Sequence, residues 1–168
     1  MKLRVLLLLF LLSGPVLGQD QTQTDTTASG PYFGGSFGVT FTDATAYGLN
    51  LYYGSTNSFG TRGVLSLAFS GDGFVFILSG DAIYSIPLSA VPLRPYLGLG
   101  ARVGFVPSGG GPSTGGISVP TTLVGLGAIG GAEYQFTPSF GVFTELNLNV
   151  ALIWGFFPSF AVGVNYHF

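Results

Sequence analysis

Cysteine is absent from the 168 residues, which excludes disulfides, thiolate metal sites and lipid attachment at a cysteine. Charge is also scarce: charged residues make up 7% of the chain, against about 25% in ordinary soluble domains. A water-facing surface is hard to build from so few. Only one histidine occurs, His167, so any Ser-His-acid arrangement would need it as base. Long apolar runs are missing too. The run Val5–Leu12 is far shorter than the ~20 residues a spanning helix requires.

That short run has another meaning. It follows a basic start, Met1-Lys2-Leu3-Arg4, and precedes Ser13-Gly14-Pro15, the layout of a secretory signal peptide. Residues 1–18 are expected to be removed by cleavage after Gly18, so the mature chain would start at Gln19. It would keep Arg62, Arg94 and Arg102 against Asp20, Asp25, Asp43, Asp72, Asp81, Glu133 and Glu145, three against seven, a formal charge of −4. No basic patch remains for nucleic acid. Residues 19–30 are polar and aperiodic and read as a flexible periplasmic leader.

From Pro31 the pattern turns to period two, the spacing of a strand with two unlike faces. Eight segments follow: Tyr32–Thr42, Ala46–Gly54, Phe59–Ser70, Phe74–Ile86, Pro95–Val106, Thr122–Phe136, Phe140–Ile153 and Pro158–Phe168. One face carries Leu, Val, Ala and aromatics with no charge. The other carries glycine, serine and asparagine together with Arg62, Asp81, Arg102, Glu133 and Glu145. With no helix to cross a bilayer, strands in lipid must close on themselves, because lipid satisfies no backbone hydrogen bonds. The expected fold is all-β: residues 31–168 as an eight-stranded antiparallel up-and-down transmembrane β-barrel, apolar face outward. An eight-stranded interior is just wide enough for side chains to fill, which suits a face of small residues. A soluble barrel would turn its charges the other way.

The aromatics sort by height on the outward face. Phe33, Tyr53, Phe59, Tyr84, Tyr134, Phe136, Phe140, Tyr166 and Phe168 fall near one end, and Phe41, Tyr47, Phe69, Phe74, Phe105, Trp154 and Phe160 near the other. Two girdles around an aliphatic band are the mark of two membrane interfaces. The longest loop, Pro107–Pro120, is expected on the extracellular side.

Three stretches resemble the small OmpA/OmpX/OmpW-type outer-membrane barrels: Pro95-Tyr96-Leu97-Gly98-Leu99-Gly100-Ala101, Gly131-Ala132-Glu133-Tyr134-Gln135-Phe136-Thr137-Pro138 and the closing Val162-Gly163-Val164-Asn165-Tyr166-His167-Phe168. The resemblance implies residence in the outer membrane of a Gram-negative-type envelope. It also implies a last strand, with Phe160, Val162, Val164, Tyr166 and Phe168, that the barrel-assembly machinery reads.

The inward charges Arg62, Asp81, Arg102, Glu133 and Glu145 are expected to form a lumen salt-bridge network, or alternatively to line a proton or ion path. Replacing Arg102 by Ala is expected to unpair carboxylates and lower stability. His167 reads as a lumen-end residue bonded to a neighbouring strand. Gly125-x-Gly127-x-x-Gly130 matches a dinucleotide pattern but lies within a strand with no helix behind it, so it is rejected. Asp43 and Asp72 read as turn residues, with cation bridging to glycolipid the lesser alternative. No enzyme activity, cofactor or metal is expected. The expected partners are outer-membrane lipid, surface glycolipid and the assembly machinery. Oligomeric state is open, a monomer favoured. The role expected is structural, with a filled lumen; the alternatives are a narrow channel for water, protons or small solutes, and a surface interaction protein using Pro107–Pro120.

Overall fold

A computed structural model describes residues 30–41, 45–55, 58–70, 73–86, 88, 91–106, 121–152 and 155–168. The expected signal peptide and leader up to residue 29, Asp43, Asp72, Trp154 and the Pro107–Pro120 loop lie outside the described residues. Eight strands form a closed barrel in sequence order: β1 Pro31–Phe41, β2 Thr45–Ser55, β3 Phe59–Ser70, β4 Gly73–Ser85, β5 Leu93–Val106, β6 Thr121–Thr137, β7 Phe140–Ala151 and β8 Gly155–His167. Every neighbouring pair is antiparallel, and β1 closes on β8 from Tyr32 opposite His167 to Thr40 opposite Ser159. Closure leaves no edge with unpaired backbone groups.

An even strand number returns both chain ends to one rim, here called the terminal rim. The connections β2–β3, β4–β5 and β6–β7 lie there. The last is tight, with Pro138 and Ser139 forming the turn. Proline suits the first central position of such a turn because its φ is preset. At the far rim β8 starts at Gly155, whose φ of 75° lies in the left-handed region open to glycine.

Alternation decides which way each side chain faces. Burial strictly alternates from Phe160 to the C-terminus, where Phe160, Val162, Val164, Tyr166 and Phe168 are exposed while Ala161, Asn165 and His167 are buried. The outer wall is correspondingly apolar. Register joins the girdle aromatics into rows: Tyr53, Phe33, Tyr166 and Phe140 are successive cross-strand partners near the terminal rim, and Tyr47, Phe69 and Phe74 are so toward the far rim. Aromatic neighbours of this kind stabilise a sheet pair beyond the area they cover.

Two strands start more than one residue before the sequence expectation. β5 begins at Leu93, not Pro95, and β8 at Gly155, not Pro158. Proline reads as a strand boundary because it lacks a donor, yet both prolines sit near the rims, where the ladder is close to its end. The first extension carries Arg94 into the lumen. β6 and β7 also slip register between Gln135 and Thr137 beside their turn.

Candidate functional site

Among the described residues, charge gathers in the lumen. All six charged residues among the described ones, Arg62, Asp81, Arg94, Arg102, Glu133 and Glu145, point into it. The interior divides by height into a packed half toward the terminal rim and an open half toward the far rim.

The packed half is built around Arg62 on β3. Its neighbour across the ladder is Asp81 on β4, and Nε and Nη2 of Arg62 donate to Asp81 Oδ2 at 3.0 and 2.9 Å. The other side of the guanidinium crosses the lumen to Glu145 on β7, with Nη1 to Oε2 at 2.6 Å and Nη2 to Oε1 at 3.2 Å. β3 and β7 are not neighbours, so this bond ties opposite walls together. Glu145 also accepts from the Tyr96 hydroxyl and from Asn147 Nδ2, both at 2.9 Å. Four donors fill its lone-pair sites, and such satisfaction is what makes a buried carboxylate tolerable. The Arg62 guanidinium also lies 4.7 Å from the Tyr52 ring centroid.

Aromatics complete the plug. Tyr32, Tyr52, Val64 and Phe143 form one buried cluster, with the Tyr52 and Phe143 rings edge to face at 5.4 Å. Ile83, Tyr96 and Ile129 form another. Phe143 is 2% exposed, its ring enclosed within this plug.

Nearest the terminal rim, Arg94 on β5 pairs with the directly opposed Glu133 on β6. The other carboxylate oxygen of Glu133 meets His167 Nε2 at 2.6 Å. His167 is therefore bonded not to a neighbouring strand, as expected, but to β6, two strands away across β7. The Tyr32 ring leans against it at 5.6 Å between centroids.

The open half is different in kind. Its walls mix small and polar residues with Val64, Ile77, Leu123 and Phe157, and it holds a cavity of about 100 Å³ that Tyr52, Arg62 and Glu145 also line. Arg102 stands in this half. It donates to Asn147 Oδ1 at 3.0 Å and lies 3.5 Å from Ser79 Oγ, with no carboxylate in ion-pair range. Only Asn147 links it to Glu145. The expected single network of Arg62, Asp81, Arg102, Glu133 and Glu145 is thus resolved into two ion-pair groups and a separate arginine. The expectation that losing Arg102 unpairs carboxylates is corrected, because Arg62 and Arg94 already hold all three.

Glycines decide how large inward groups fit. Asp81 lies against Gly100, Glu133 against Gly141 and Tyr96 against Gly131, each on an adjoining strand. A Cβ at Gly131 would meet Tyr96 Cζ at 2.5 Å, closer than real side-chain atoms approach.

Reasoning from sequence missed Arg94, Tyr96, Ile129 and Phe143 as lumen residues. Counting back by twos from Arg102 through Gly100, Gly98 and Tyr96 reaches Arg94, so parity held the signal. Among the described residues no group of three or more potential ligands could hold a metal ion.

No protein-family profile matches the chain, and no curated protein does. Solved structures do. Neisserial surface protein A is 17% identical with a TM-score of 0.61, covering 82% of this chain and 96% of its own. The N-terminal barrel domain of Pseudomonas aeruginosa OprF is 24% identical at 0.56, covering 83% and 99%. The chain has the fold of the small eight-stranded outer-membrane barrels. Ail, the attachment invasion locus protein of Yersinia pestis, is similar as well, at 17% identity and 0.51, covering 83% of this chain and 97% of its own. The OmpA/OmpX/OmpW-type resemblance and the shared architecture agree on the fold.

Proposed function

We propose that the chain is a resident barrel of a bacterial outer membrane, exported by a cleaved signal peptide, which serves the envelope as a structural element with a stoppered lumen and no catalytic activity. The observation that carries the reading is the sorting of charge. Every charged residue among the described ones faces inward, while Leu49, Leu51, Leu65, Leu99 and Leu126 cover the waist of the outer wall. A charge on the lipid-facing side costs about 2–4 kcal/mol for Arg or Lys at the midplane. The girdle rows then stand at the two interfaces, with the terminal rim periplasmic. On this reading the partners are membrane lipid, surface glycolipid and the assembly machinery that takes up β8, and the protein works as a monomer.

Heat-modifiable migration on a gel, with detergent needed for solubility, tests the membrane assignment; a chain that stays monodisperse without detergent would sink it. A narrow channel is the second reading, favoured by the cavity that descends as far as Arg62 and Glu145. Planar-bilayer conductance separates the two. The structural reading expects no sustained openings, and the channel reading expects them.

A further inference from the structure

Arg102 has no acid of its own. Asp81 and Glu145 share Arg62, and Glu133 takes Arg94 and His167. The Arg102 guanidinium is held by neutral groups alone, and its Nε is buried with no acceptor. The guanidinium is half-buried, so its charge is only partly hydrated and lacks a counter-charge within ion-pair range.

Its surroundings leave room for such a partner, with polar groups on one side of a cavity otherwise lined by apolar residues such as Ile77, Leu123 and Phe157. Arg102 lines the cavity of about 100 Å³ together with Thr40, Asn50, Ser66, Asn149 and Ser159. At ~30 Å³ per water, that is space for about three waters or one small oxyanion. Gly127 sets the guanidinium at the wall: a Cβ there would meet Arg102 Nε, Arg102 Nη2 and Asn149 Oδ1, each at 2.6 Å. Asn149 is thus beside the guanidinium. Its Oδ1 has no partner, and its Nδ2 contact to Ser159 Oγ is long, 3.4 Å. Turning the amide over exchanges oxygen for nitrogen at the cavity, since the two are distinguished by their hydrogen bonds alone. A second donor then stands next to Arg102.

We propose that the open half of the lumen is a binding site for a small free oxyanion of phosphate or carboxylate type, anchored by Arg102 with Asn149 as the second donor. The guanidinium fork matches the oxygen spacing of such groups. The triad below it, Arg62 with two acids, carries one net negative charge, so binding is weak, in the millimolar range, and the occupant exchanges readily. The site does not depend on the envelope role, because any folded barrel with this lumen would have it.

The test is a titration of the full chain in detergent micelles with inorganic phosphate, chloride being withdrawn to hold ionic strength constant. The arginine Nε–H resonances and the amides of Gly127 and Asn149 are followed by ¹⁵N NMR. A saturable shift at Arg102 Nε–H and those amides is expected. It should vanish in Arg102→Gln, and also in Asn149→Asp, which supplies a carboxylate to Arg102 and so keeps the barrel testable if the first variant folds poorly. A shift linear in phosphate, or amide shifts retained in either variant, would overturn the site. So would a response to micellar anionic phospholipid with none to free phosphate, which would assign the chemistry to a lipid headgroup instead.

Discussion

The two halves of the lumen use the same residue types to opposite ends. Toward the terminal rim, arginine, glutamate, tyrosine and phenylalanine are locked to one another across the barrel, and Glu145 has no lone pair left over. Toward the far rim, asparagine, serine and threonine leave space, and Arg102 is tethered through Asn147 alone to the acids below. A buried ion pair stabilises little in itself, yet breaking one strands the partner. The packed half is therefore intolerant of single losses, whereas the open half, where water can replace a lost contact, is forgiving.

That contrast can be broken most directly at Glu145. Glu145→Ala strands half of Arg62, the Tyr96 hydroxyl and the Asn147 amide, and should cost about 3–5 kcal/mol in denaturant unfolding from lipid vesicles. A cost equal to that of Arg102→Ala would dissolve the distinction between the halves. Phe143→Ala should cost nearly as much, about 3–5 kcal/mol as a core aromatic truncation, and should be the substitution that brings sustained conductance, since it removes a ring from the buried aromatic cluster. Widening the open half with Ser66→Gly should leave conductance unchanged. A smaller effect, about 1–3 kcal/mol from overpacking, is expected for Gly100→Val, whose new methyls would displace Asp81 from Arg62. Arg102→Ala should cost least, under about 1 kcal/mol, as for the loss of ordinary hydrogen bonds.

Strand number, facing and the girdles were legible in the sequence because each rests on period two, which survives errors of a residue or two at strand ends. Arg94 was lost to such an error, since Pro95 resembles a boundary. Pairings were another matter. Arg62 and Asp81 are register neighbours and could be inferred as close, but the Arg62–Glu145 and His167–Glu133 bonds depend on barrel closure and on how far a side chain reaches over an intervening strand. No local pattern encodes that. The inward face was read as small and polar for the same reason: Phe143, Tyr96 and Ile129 fit only because glycines on adjoining strands make room, and matching them requires the register.

That matching has an evolutionary corollary. If Asp81 occupies the space a side chain at position 100 would need, and Tyr96 that of position 131, neither member of such a couple can drift alone. Among descendants of this sequence, a glycine gaining a side chain should be accompanied by its partner shrinking, so the lumen would be inherited as linked couples while the outer wall exchanges one apolar residue for another independently.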